Sequence, residues 1–318
     1  MKPNWYAVCL MAGSLLYSAA VPAKTTASGV LLQQMGHATQ TLNYELSFIS
    51  LTRQGVDSLR YRHVMLDKLK LAQLLQMDGP RREIVQRNNE ISYFEAGIEP
   101  FTLSGDHIVD SLPSVVYADF ERLADYYDFI PVGRTRISDR LCDVVRIVSR
   151  DGTRYGYIVW IDAASRLPLR VDLLDRDGES LEQFRVISFS VDNQVQAQMQ
   201  GLENVGLPPL LSVPTSTVAN FDWTVGWLPA GVTEASRSQR TLPGINVPIE
   251  ARLYTDGLFS FSVNISQSGS SVGERFIRTG RRTIHTETRN DKEITVVGEL
   301  PPATAKRIAD SIVFKASR

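Results

Sequence analysis

The chain has 318 residues, with 34 Lys and Arg against 35 Asp and Glu. That near-neutral balance excludes a global pull toward nucleic acid or an anionic membrane, and the length suits two domains. The average hides an asymmetry: 20 basic against 25 acidic residues in 24–210, but 13 against 10 in 211–318, a difference of sign that favours either docking of the two parts on each other or a charged partner spanning both.

Lys2, an uncharged and mostly apolar run over 7–20, and the small residues around Val21-Pro22-Ala23 read as a secretory signal over 1–23, with the mature chain starting at Lys24. The run is short for a bilayer span. Cys9 is poorly placed for lipid attachment, because Val8 rather than a small residue precedes it. Removal of the signal leaves Cys142 as a single thiol, so no internal disulfide is expected; "RLCDVVRIV" is strand-like and predicts a buried, inert thiol.

Ser28 is placed to N-cap a helix carrying Leu32, Met35 and Leu42. From Tyr44 the period changes to two, and "YELSFISL" and "SLRYRHVM" read as strands. "LAQLLQM" ends at Asp78-Gly79-Pro80, and "RREIVQRNNEISYFEAG" is a hairpin tipped by Asn88-Asn89. "LPSVVYADFERLADYYDFI" has helical spacing at Val115, Phe120 and Leu123. Then "DRLCDVVRIVSR", "TRYGYIVWI", "LPLRVDLL" and "SLEQFRVISFSV" follow, joined by turns at Asp151-Gly152, 162–166 and Asp177-Gly178. Strands joined so closely must be antiparallel neighbours. Residues 204–220, with three prolines, predict an extended linker that permits motion between the two parts. A second, smaller α+β domain over 221–318 contains a hairpin at Asp256-Gly257 and a closing helix after Pro301-Pro302, with Ala305, Ile308 and Ile312 on one face.

Reactive motifs are sparse. "GSSVG" at 269–273 matches G-x-S-x-G around Ser271, but a hairpin strand precedes it and the triad acid has no room before His285, so a flexible loop is the better reading. "DRDG" at 175–178 resembles the middle of a calcium loop, yet Leu173 and Phe184 stand where carboxylates are needed. His37, His63, His107 and His285 have no zinc-ligand spacing. No enzyme activity, metal or cofactor is expected.

The stronger pattern is apolar. In "YGYIVWI" one strand face carries Tyr155, Tyr157, Val159 and Ile161, and the other Ile158 and Trp160. A half-solvated sheet needs only one such face. Either helices fill the second face completely, or they leave a hydrophobic cavity; Phe48, Phe94, Trp160 and Phe184 are the residues expected to line one. In the second domain, Arg278, Arg281 and Arg282 are expected to contact carboxylates of a partner or lipid phosphates. Trp223 and Trp227 are expected in its core.

The segment from Trp160-Ile161-Asp162 through Leu167-Pro168-Leu169-Arg170 to Asp177-Gly178 resembles the strand–turn–strand signature of the LolA/LolB lipoprotein-carrier fold. With "LPPLLSVP", "WLPAG", "YTDGLFSFSVN" and "RTGRRT", the whole chain resembles the RseB/MucB family of periplasmic regulators of the envelope-stress sigma factor. The resemblance implies an α+β fold: an unclosed antiparallel β-barrel capped by helices over 24–203, joined by the linker to the smaller domain. It implies a non-enzyme that binds the periplasmic segment of the anti-sigma factor RseA and keeps the site-1 protease DegS from cutting it. Lipopolysaccharide, its lipid A part, or a mislocalised acylated lipoprotein would release it; a homo-oligomer is compatible with this. A periplasmic lipoprotein or lipid carrier is the rival function.

Overall fold

The computed structural model describes residues 26–109, 111–211, 220–241, 247–268 and 273–315. The expected signal segment and Ser271 therefore lie outside the described residues. The chain opens with α1 (Ala27–Thr41), capped by Thr26, whose hydroxyl accepts from the Gly29 amide at 3.1 Å. The cap is two residues earlier than Ser28, which is buried inside the helix. Leu32, Met35, Ala38 and Thr39 form the buried face. Gly36 lets the helix approach closely, since a Cβ there would lie 3.1 Å from the Val116 carbonyl.

Six strands follow: β1 (Tyr44–Thr52), β2 (Gly55–Leu66), β3 (Leu69–Gln76), β4 (Arg82–Arg87), β5 (Glu90–Glu95) and β6 (Phe101–Ser104). Asn88, at the tip of the β4–β5 hairpin, has φ of 53°. The helical spacing read within 112–130 resolves into a 3-10 turn (Ser114–Tyr117) and one turn of α-helix, α2 (Phe120–Leu123), capped by Asp119. Tyr127 and Phe129 then enter β7 (Tyr127–Ile137) with alternating burial. Next come β8 (Arg140–Ser149), β9 (Gly156–Asp162), β10 (Pro168–Leu174) and β11 (Ser180–Val191), and a short helix α3 (Gln194–Met199).

These eleven strands form one antiparallel sheet in the order β6-β5-β4-β3-β2-β1-β11-β10-β9-β8-β7. The sheet does not close, because β6 and β7 remain its edges. It does curl: α1 touches both β2 and β7, which have five strands between them. The concave side is a core of residues such as Leu46, Leu74, Ile84, Val145, Val159, Ile161 and Val171, capped by α1, α2 and the 3-10 turn. At about 25 cal/mol per Å² of apolar surface, this burial dominates stability in a chain whose cysteine Cys142 is free and buried. Burial pushes the Cys142 thiol up to about 11.

The second unit contains β12 (Trp223–Val225), β13 (Thr233–Thr241), β14 (Pro248–Thr255), β15 (Ser260–Gln267), β16 (Arg275–Thr279), β17 (Arg282–Arg289) and β18 (Lys292–Gly298), then α4 (Pro302–Asp310) and β19 (Ile312–Phe314). A six-stranded antiparallel sheet runs β13-β14-β15-β18-β17-β16, and β12 pairs with β19. The helix α4 packs Ala305 and Ile308 onto Val263, Ile294 and Val296. Trp223 is fully buried and donates from Nε1 to Glu250 at 2.7 Å, while Arg307 lies 3.8 Å from the centre of the Trp227 ring.

Candidate functional site

The strand register decides which apolar side chains share the concave face. One row runs from Val145 through Val159, Val171 and Phe184 to Ser50. Phe48, two residues from Ser50, points the same way, and its ring meets that of Phe184 with centroids 4.6 Å apart. The next row, Val144, Trp160, Arg170, Arg185 and Ile49, faces the other side. There the Arg170 guanidinium covers Trp160 at 4.4 Å. Phe94 also takes the outer face: it is opposite Glu83, whereas its neighbour Tyr93 is in the inner row with Leu74 and Ile84. Of the four side chains expected around a cavity, the structure brings Phe48 and Phe184 together and places Phe94 and Trp160 behind the sheet.

A cavity of about 1050 Å³ opens against that concave face. Its apolar wall includes Phe48, Leu59, Leu74, Val171, Leu173 and Phe184 from the sheet, and Leu112 and Pro113 from the segment before the 3-10 turn. The remaining wall comes from the second unit: Leu258 and Phe259, at the β14–β15 turn. Phe259 stacks on Tyr157 at 5.5 Å and meets the edge of Tyr155 at 6.3 Å. Burial raises the Tyr157 phenol well above its ordinary range, so it stays neutral; its hydroxyl lies 3.1 Å from Ser114 Oγ. The mouth is polar, with Arg82, His107, Glu182, Arg281, Arg282 and Glu299 around it.

The turn that supplies Leu258 and Phe259 is held by a buried polar cradle. Asp256 Oδ1 accepts from the Leu258 and Phe259 amides at 2.9 Å each, which orders the turn locally. Its Oδ2 accepts from the Tyr127 hydroxyl at 2.5 Å and from Arg154 Nη1 at 2.9 Å, both from the first unit. Arg154 also donates to the Ala230 carbonyl at 2.7 Å and to Asp151 at 3.1 Å. Burial alone would raise the Asp151 carboxyl, but hydrogen bonds from Thr153 and Ala230 and the Arg154 charge outweigh it and leave the pKa lowered. Burial and the Asp256 charge push the Tyr127 phenol well up. Farther along, Tyr155 donates to the Leu300 carbonyl at 2.8 Å and Thr304 to the Thr153 carbonyl at 2.6 Å. Gly231, with φ of 83°, lies under Tyr126; a Cβ there would be 2.5 Å from the ring.

The arginines complete this seam. Arg278 meets Asp175 of the β10–β11 turn at 3.4 Å, and Arg281 lies 3.5 Å from Glu182 of β11 and 3.1 Å from Glu299. Two of the three side chains expected to face a partner are thus engaged with the first unit's acids. Arg282 is exposed at the cavity mouth. Among the acids between Tyr155 and Val186, Asp175 and Glu182 seat the second unit, Asp162 pairs with Arg140 and Asp172 with Arg170. Among the described residues no group of three or more His, Cys, Asp or Glu is placed to hold a metal. His285, singled out beside Ser271, is buried and 3.0 Å from Glu287. Arg154 and Tyr127 were not singled out by sequence patterns, and Asp256 was read only as part of a turn; an arginine amid the aromatic run "TRYGYIVWI" was the available signal for the cradle.

Residues 27–204 match the MucB/RseB N-terminal domain family and 217–313 the MucB/RseB C-terminal domain family. The chain is 64% identical over 319 residues to the sigma-E factor regulatory protein RseB of Escherichia coli K12, covering 100% of each. It is 31% identical over 317 residues to the sigma factor AlgU regulatory protein MucB of Pseudomonas aeruginosa, covering 95% of each. The solved complex of Pseudomonas aeruginosa MucA/MucB aligns with TM-score 0.71 at 25% identity, over 92% of this chain and 100% of that one. A crystal structure of MucB in complex with MucA(peri) aligns with TM-score 0.70 at 26% identity, over 91% and 100%.

Proposed function

The chain belongs to the MucB/RseB family, and from that premise we propose that it is a periplasmic, non-enzymatic regulator of an envelope-stress sigma factor. It binds the periplasmic segment of the anti-sigma factor RseA, shields that segment from site-1 proteolysis, and lets go when lipopolysaccharide or a mislocalised lipoprotein enters its cavity. The reading of 1–23 as a secretory signal supports export, and no helix among the described residues is long and apolar enough to cross a membrane.

One observation carries the release mechanism: the Asp256–Phe259 turn is both the anchor of the second unit and part of the cavity wall. An acyl chain of about a dozen carbons would gain roughly 10 kcal/mol gross by burial at about 0.8 kcal/mol per methylene. Ordering costs reduce that figure, and only what is left after them acts against docking. A lipid with several chains, filling the cavity past Phe184, presses on Leu258 and Phe259 and repacks that turn. Displacement pulls on Asp256, and through it on Arg154 and Tyr127. Lipid and RseA segment then prefer different arrangements of the two units, which is the condition for one to expel the other.

A carrier that only ferries lipoproteins has no need for a second unit in its cavity wall, and here Leu258 and Phe259 contribute to that wall. The test is a reconstituted cleavage assay with the RseA periplasmic segment and the site-1 protease. The full chain suppresses cutting and lipid A restores it; cleavage at the same rate with and without the chain overturns the proposal.

A further inference from the structure

The first half of the connection between the two units lies along the first sheet. Thr102 of β6 forms a parallel bridge with Leu210. Its amide donates to the Pro209 carbonyl at 3.2 Å, and its carbonyl accepts from the Leu211 amide at 2.8 Å. The Thr102 hydroxyl donates to the Pro208 carbonyl at 2.8 Å and is fixed from behind by Ser92 Oγ, also at 2.8 Å. Three to five residues before Pro208, the carbonyls of Glu203 and Val205 accept from Arg87 Nη1 of β4 at 3.0 and 3.1 Å. Thr102 and Ser92 are buried, so this is a built seat rather than a surface graze. It also corrects the expectation of a plain extended linker: 203–211 are docked on an edge of the curled sheet.

We infer that residues 203–211 are a releasable strap that does two things while docked. It covers the hydrogen-bonding edge of β6, and Pro208 and Pro209 carry no amide proton to template a further strand. It also shortens the connection to the second unit. With the strap seated, the 9 residues 212–220 join Leu211 to Phe221; with the strap free, the 18 residues 203–220 join Leu202 to Phe221. The effective concentration of tethered partners falls roughly as the −3/2 power of connector length, so doubling it lowers the local concentration of one unit at the other about threefold. The strap is thereby a brake on separation at the Arg154–Asp256 cradle, whether or not a lipid is the trigger.

Hydrogen exchange on the full chain tests this, with Thr102→Val and Arg87→Gln combined to remove the side-chain anchors while keeping the β6 backbone. In the unaltered protein the Leu211 amide exchanges slowly, as a bonded edge strand does. In the double variant it speeds up by about tenfold or more, the Leu258 and Phe259 amides speed up about two- to threefold, and amides in the β1–β2 ladder stay unchanged as the control for folding. A Leu211 amide that exchanges at the free-peptide rate in the unaltered protein, or is not accelerated in the variant, removes the strap. Acceleration at Leu211 with no change at Leu258 and Phe259 removes its restraint on docking. None of these readings uses a lipid or a partner, so they stand apart from the release mechanism above.

Discussion

Arg154 and Asp256 stand 102 positions apart in the chain, yet their side chains meet at 2.9 Å with 1% exposure each. Removing one partner leaves the other charge buried, so Arg154→Met should destabilise the protein by about 3–5 kcal/mol. Adding Asp256→Asn to that background should cost much less than Asp256→Asn alone. Urea unfolding of the two single variants and the double variant gives the coupling. Strictly additive losses would mean that the pair does not act as one unit.

Arg281 and Arg282 are adjacent but are expected to respond differently. Arg281→Glu places a third carboxylate beside Glu182 and Glu299, so it should loosen the seam and lower the thermal transition. Arg282→Glu, at the exposed mouth, should leave the transition unchanged and weaken binding of lipid A severalfold. Differential scanning calorimetry alongside lipid titration distinguishes them; equal shifts in Tm would refute the division of roles.

Leu59 lines the cavity and is almost buried. Leu59→Trp enlarges a core side chain on the cavity wall and narrows the empty volume. Binding of an acylated probe should fall about tenfold or more, with a loss of unfolding free energy of about 1–3 kcal/mol that leaves the protein folded. Undiminished binding would place the acyl chain elsewhere.

His63 is buried against Tyr44, with Nδ1 at 2.9 Å from the Leu42 carbonyl, and burial lowers its pKa from 6.5 to about 4. Between those values the unfolded chain binds a proton that the folded chain refuses. Stability is therefore full above about pH 6.5 and falls as the pH drops toward 4, by on the order of 3 kcal/mol from this residue. His63→Phe should flatten that part of the stability–pH curve, and a His63 proton resonance titrating near 6.5 in the folded protein would overturn the assignment.

The strands from β8 to β11 were readable because Asp-Gly turns and alternation are local signals, and their tight spacing required antiparallel pairing. The helical spacing at Val115, Phe120 and Leu123 held as two short helical turns, but did not extend to 130 because Tyr127 and Phe129 satisfy a two-residue period once β8 is beside them, a partner invisible in the segment itself. The cavity was half legible. Period two separates Trp160 from Tyr157 and Val159, but it cannot tell which face is concave when both are bulky; the Arg170 stem hides the outer one. Asp256-Gly257 reads as a turn from its own residues, whereas its role as anchor depends on Arg154 and Tyr127, far away in the chain. The arginines were noticed for their charge but assigned to an outside partner; the sign difference between the two parts of the chain allowed docking as one of two readings, without locating it at Arg278 and Arg281.

The direct measurement of the coupling is a reciprocal titration by calorimetry. The affinity of the full chain for the RseA periplasmic segment is taken with and without saturating lipid A, and its affinity for lipid A with and without the segment. The expected result is that each ligand weakens the other by the same factor, and that the Arg154→Met change, which already loosens the cradle, shrinks that factor. Independent binding of the two ligands would contradict the claim that the cavity wall and the docked turn are one device.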